Sequence, residues 1–158
     1  MQAFDHPAES AHAPQFFLQR GVLRPNFEVP ARAAALRDGL KGLGIVPIVP
    51  ALPSRKALEA VHAPDYLDWL RDGPVEWASL PGAGPEIVAN IHPSPEMLAQ
   101  GARPSTQAVG KAGWSTADTA CPVGPGTWEA ALGAAGSALA AAEVASKGGT
   151  AYALCRPP

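Results

Sequence analysis

Apolar and polar positions divide the chain into stretches that carry a period and stretches that carry none. Between Pro30 and Lys41, apolar side chains at Ala33, Ala34, Leu36 and Leu40 recur at about 3.6 residues, which predicts a helix over 31–41. Pro30 suits its first turn, and Gly42 and Gly44 stop it. Ile45-Val-Pro-Ile-Val49 is a short β-branched run bounded by Gly44 and Pro50, so it reads as a strand. Pro47, which has no N–H for a ladder, puts that strand at a sheet edge or a bulge. Ser54 caps a helix over 55–61, and a second short helix over 64–71 sets Tyr66, Leu67 and Leu70 on one stripe before Gly73-Pro74 ends it.

The last third is clearer. Thr127 reads as an N-cap, with Glu129 in the first turn where its charge meets the helix dipole. Residues 130–146 are strong helix formers, and Gly133, Gly136 and the alanines leave so little bulk that close backbone packing is expected. Gly148-Gly149 stops the helix, and residues 150–155 read as a strand. Strand, long helix, strand is the grammar of a parallel α/β sheet. By contrast, 6–29 reads as loop and 75–125 has many Pro and Gly and no sustained period. A structureless segment of that length in a domain implies a function.

Composition narrows the classes. A chain of 158 residues fits one domain. Twelve Lys and Arg against fourteen Asp and Glu give a net charge of −2, which supplies no basic field to hold nucleic acid. The 16 Gly and 18 Pro demand long loops, while 47% hydrophobic residues against 16% charged suit an interior piece of a larger domain. Cys121 and Cys155, in no Cys-x-x-Cys spacing, read as free thiols in a reducing compartment. The sequence shows neither a leader nor an uninterrupted apolar run of about 18 residues, so a cytoplasmic protein with no membrane contact is expected.

Four segments carry a resemblance. They are Phe27-Glu-Val-Pro-Ala-Arg32, Val61-His-Ala-Pro-Asp-Tyr-Leu67, Cys121-Pro-Val-Gly-Pro-Gly-Thr-Trp-Glu-Ala-Ala-Leu132 and Tyr152-Ala-Leu-Cys-Arg-Pro-Pro158. In this order they resemble the zinc-dependent histone deacetylase family, in its acetylpolyamine amidohydrolase-like branch. That resemblance implies a partial three-layer α/β/α arginase/deacetylase-type fold with a parallel sheet and a first strand ending near Asp5. Residues 1–158 would be the amino-terminal portion of such a domain. Residues 75–118 would be a loop-rich insertion that packs two subunits into a homodimer and narrows the active-site entrance.

The activity implied is hydrolysis of the acetyl amide of acetyl-lysine, an acetylpolyamine or a similar small molecule. Family enzymes hold Zn2+ between two aspartates and a histidine, and adjacent histidines move protons to and from the attacking water. That histidine pair would follow Pro158, so no catalytic residue and no metal ligand is assigned within the chain. Alone, it is expected to bind no zinc and to be inactive. Two further readings are a truncated, non-catalytic product acting as an interaction module through its long loop, and a domain completed by a separate chain.

Asp118 is the one candidate substrate-binding residue. Asp118-Thr-Ala-Cys-Pro122 resembles a family loop whose aspartate accepts a hydrogen bond from the substrate backbone. The alternative is an Asx-turn that shapes a Pro-rich loop. Phe16 and Phe17 would lie at the entrance, where some relatives place an acid to meet the substrate's distant ammonium, or would simply anchor the loop. His6, His12, His62 and His92 never fall three or four apart, so they read as structural, with His62 as an orienting hydrogen-bond partner. Arg156 reads as structural at a strand end.

Overall fold

In the computed structural model, which describes residues 1–89 and 91–155, the chain runs in order through β1 (Gln2–Asp5), a 3-10 helix (Pro7–Ala11), β2 (Phe16–Gln19), β3 (Val22–Pro25), α1 (Pro30–Gly42), α2 (Arg55–Glu59), α3 (Pro64–Ala78), α4 (Pro95–Ala99), α5 (Ala108–Ser115), α6 (Thr127–Ser146) and β4 (Ala151–Leu154). It divides into two units. The first comprises Met1–Ala13, Phe27–Val61 and Gly126–Pro158, the second Pro14–Asn26 and His62–Pro125.

In the first unit β1 and β4 pair in parallel, with Gln2, Ala3, Phe4 and Asp5 opposite Ala151, Tyr152, Ala153 and Leu154. Parallel strands need a crossover, and α6 supplies it by packing against both. Its two glycines are the reason it lies so close. A Cβ on Gly136 would stand 2.6 Å from Ala51 O, and one on Gly133 would stand 2.9 Å from His6 Nδ1. Ala3, Phe4, Ala33, Leu40, Ala130, Ala134 and Leu154 form the buried core. The helix ends as its sequence suggests, with Gly148 at φ +80° and Gly149 N–H donating to Val144 O at 3.0 Å.

Three expectations need correction here. Ile45–Val49 is not a full strand: it meets β1 only at a Phe4–Ile48 parallel bridge, where Ile48 N–H donates to Ala3 O (2.8 Å) and Asp5 N–H to Ile48 O (3.1 Å). Pro47 has no hydrogen to extend that ladder. Thr127 is not the N-cap of α6. Gly126 is, at φ +84°, where a Cβ would stand 2.5 Å from Ala11 O, and the Thr127 side chain meets His12 instead. On α1 the buried stripe is narrower than the apolar one, since Leu36 is 45% exposed while Ala33 and Leu40 are buried.

In the second unit β2 and β3 form an antiparallel hairpin with Phe16 opposite Pro25 and Gln19 opposite Val22. Arg20 (φ +51°) and Gly21 (φ +74°) make the two-residue turn, so the region read as loop contains a hairpin. Helix α3 also outruns its expected stop, passing through Gly73-Pro74 to Ala78. Pro74 only removes the N–H that would reach Leu70 O, and burial of Leu67, Trp69, Leu70 and Gly73 along one face outweighs that loss. Gly73 leaves room for the Trp69 ring on that face, because a Cβ there would stand 2.9 Å from Trp69 Nε1. Helices α4 and α5 occupy further parts of the stretch expected to be loop, and the Lys111 ammonium ties α5 to Glu76 of α3 at 2.8 Å.

Candidate functional site

The Asp118 loop leaves α5 at Thr116 and reaches the Ile87–Val123 antiparallel bridge. Asp118 is exposed, and its Oδ1 accepts from Ala120 N–H (2.7 Å) and Cys121 N–H (3.2 Å). The Asx-turn anticipated from sequence is therefore present. It employs one carboxylate oxygen, and the other takes part in neither of these bonds. An exposed carboxylate oriented in this way can accept a hydrogen bond from an amide or ammonium N–H.

The loop abuts the hairpin that carries both phenylalanines, since Leu18 N–H donates to Thr119 O (3.2 Å) and Thr119 Oγ1–H to Leu18 O (2.8 Å). Phe17 is buried and anchors the hairpin, while Phe16 is half-buried with the end of its ring 3.8 Å from where a Cβ on Gly84 would sit. Glu86 supports the same region from beneath. It is buried, its Oε1 accepts from Gln15 N–H at 2.8 Å, and among the described residues its Oε2 has no hydrogen-bond partner.

Burial, and then the charge of Asp118, push the Cys121 thiol above its ordinary value. Burial raises the Tyr66 phenol, with Cys121 a smaller contributor, so at neutral pH Tyr66 remains an O–H donor and Cys121 a thiol. The two cysteines are free, as expected, and burial raises Cys155 as well.

The histidines take structural places. His6 Nδ1 accepts from Ala8 N–H and caps the 3-10 helix, and His12 Nδ1 lies 2.9 Å from Thr127 Oγ1 in the interior of its unit. His92 Nδ1 faces two carbonyls, Thr116 O (2.7 Å) and Gly113 O (3.2 Å), so it carries the hydrogen. His62 is exposed with its ring centroid 5.7 Å from that of Tyr66, a ring contact where a hydrogen bond was expected. Among the described residues no group of three His, Cys, Asp or Glu side chains could hold a metal ion. Arg156 and the pair Pro157-Pro158 lie outside the described residues.

Sequence reasoning missed a charged cluster in the first unit. Arg37 Nε donates to Asp5 Oδ2 (2.6 Å), and its Nη2 donates to Asp5 Oδ1 (3.2 Å) and to Glu9. Hydrogen bonding to Asp5 is the main cause that raises the Arg37 pKa. The three residues come from separate elements, so no local spacing signals them. Beside them is a cavity of about 640 Å3 lined by Arg37, Lys41, Ile45, Val46 and Val49, among others. Among the described residues none of the candidates lines it. Among the described residues no helix is long and apolar enough to cross a membrane.

Comparison with known proteins places this geometry. The sequence profile of the histone deacetylase domain matches residues 26–158. An acetylpolyamine amidohydrolase of Burkholderia pseudomallei is 37% identical over 160 residues, covering 100% of this chain and 45% of that protein. Acetylpolyamine amidohydrolase 1 of Pseudomonas aeruginosa is 35% identical over 150 residues, covering 93% of this chain and 42% of its own length. The crystal structure of an acetylpolyamine aminohydrolase from Burkholderia pseudomallei superposes with a TM-score of 0.88 at 36% identity, over 100% of this chain and 45% of that one. The chain thus spans less than half the length of these relatives. Its α/β architecture with a parallel sheet is the arginase/deacetylase type, and the chain belongs to the histone deacetylase domain family.

Proposed function

We propose that this chain is the amino-terminal portion of a zinc-dependent amidohydrolase that removes acetyl groups from acetylated amines. The observation that carries this reading is the similarity to acetylpolyamine amidohydrolase along the whole chain, at 37% identity in sequence and a TM-score of 0.88 in structure. In this reading Asp118 offers its second carboxylate oxygen to an N–H of the substrate, while Oδ1 keeps the loop in shape. The carboxylate supplies orientation, and the proton transfers and the metal belong to residues not assigned here. The chain by itself holds no stoichiometric zinc and releases no acetate. Residues 75–118 form the insertion through which two copies pair, and the protein acts in the cytoplasm.

The test joins this chain in frame to the remaining portion of the Burkholderia pseudomallei relative and measures acetate release from an N-acetylated diamine with zinc supplied. Turnover is expected from the joined protein. A soluble, zinc-loaded product that leaves the amide intact, while the relative treated identically cleaves it, would refute the assignment.

A further inference from the structure

The loop that carries Asp118 is held at three points by groups distant in sequence. At its start, His92 Nδ1–H is shared between Gly113 O and Thr116 O. At its end, Ile87 N–H donates to Val123 O (2.6 Å) and Val123 N–H to Ile87 O (3.2 Å). Between these, and adjacent to Asp118, Thr119 makes two bonds to a single residue 101 positions away: its carbonyl accepts from Leu18 N–H, and its hydroxyl donates to Leu18 O. Leu18 sits in β2, so Thr119 acts as a one-residue extension of the hairpin.

The bonds from Asp118 Oδ1 to Ala120 and Cys121 lie within the loop. They would survive if the loop swung as a body, so they fix its shape and not its place. The Thr119–Leu18 pair fixes its place. An exposed carboxylate contributes to orienting a ligand only if its position is set beforehand.

We propose that Thr119 is a positioning residue for Asp118, holding the carboxylate in register with β2 through its hydroxyl. This rests on the reading of Asp118 as a substrate contact. It adds that the hairpin, and not the loop alone, decides where that contact is made.

The test is amide hydrogen exchange on the 158-residue chain. Thr119→Val removes the hydroxyl at nearly constant shape and keeps the carbonyl, while Thr119→Ser keeps the hydroxyl. Exchange is read at Leu18, whose N–H donates to Thr119 O and is released when the loop leaves the hairpin, with Leu70 in the buried face of α3 as the reference for its unit. The valine variant is expected to speed exchange at Leu18 about tenfold, the effect of one lost hydrogen bond on local opening. The serine variant is expected to match the parent chain, and Leu70 to be unchanged in both.

Unaltered exchange at Leu18 in the valine variant overturns the proposal. Acceleration by serine equal to that by valine also overturns it. So does loss of protection at Leu70 together with Leu18, which would make Thr119 a residue of general stability. Asp118→Asn in the joined enzyme tests the substrate contact separately. Unchanged turnover there removes that contact and leaves the clamp, whereas a failed exchange test removes the clamp and leaves the contact.

Discussion

Replacing Gly136 by alanine is expected to destabilise the chain even though alanine is the better helix former. Two effects oppose each other. Alanine gains about 0.8–1.0 kcal/mol over glycine in a helix interior. Its Cβ, however, would stand 2.6 Å from Ala51 O and 3.5 Å from Ala51 C, both backbone atoms that cannot rotate aside. Overpacking of this kind costs about 1–3 kcal/mol. The net is a loss of about 0–2 kcal/mol, towards the upper half because the obstruction is main chain. Gly39 provides the control. It lies in α1 of the same unit, is exposed, and has nothing within 4 Å of an added Cβ, so Gly39→Ala is expected to gain the full propensity term of about 1 kcal/mol. Urea unfolding with equal slopes should move the two midpoints in opposite directions, about 1–3 kcal/mol apart in all. A Gly136→Ala chain as stable as the Gly39→Ala chain would refute the packing argument for α6.

Three further substitutions test other links. Arg37→Met takes the guanidinium from the Asp5 and Glu9 carboxylates, whose side chains are 10% and 1% exposed; since Arg37 itself is 33% exposed, the loss is expected near the low end for a buried pair, about 2–3 kcal/mol by urea unfolding, and a loss under about 0.5 kcal/mol would show the cluster to be ornamental. Pro74→Ala restores an N–H facing Leu70 O in α3 and is expected to stabilise the second unit by about 1–2 kcal/mol after the lost rigidity of the unfolded chain is subtracted; destabilisation would mean that the ring itself packs usefully. Asp118→Asn removes a charge that raises the Cys121 thiol, so the thiol pKa falls, the thiolate fraction at fixed mildly alkaline pH rises, and reaction with a disulfide reagent quickens at Cys121 but not at Cys155, which burial alone raises; equal rates in the two chains would separate Asp118 from Cys121.

Where the sequence was legible, the signal was local and the energy was too. Ser54 accepts from Ala57 N–H as an N-cap should, Pro30 opens α1, and Gly148 closes α6 with a positive φ, each within one turn of helix. Asp118 was read both as a substrate contact and as an Asx-turn, and its geometry contains the turn. The hairpin was missed because Arg20-Gly21 is not one of the usual two-residue turn pairs, and because strands of four residues show almost no alternation. Helix α5 was missed for a similar reason, since eight residues with two glycines scarcely complete two periods.

The amino-acid order by itself settled the long crossover helix, its small-residue face, the parallel α/β class and the family resemblance, because these depend on periodicity, side-chain size and motifs within a few residues. Only the tertiary structure decided that α3 runs through Pro74, that Gly126 and not Thr127 caps α6, that Arg37 joins Asp5 to Glu9, and that Thr119 is clamped to Leu18. The physical reason is the same in each case. A proline, a cap, an ion pair or a hydroxyl is governed by the free energy of groups brought close by folding, and that proximity is not written in the spacing of neighbouring residues.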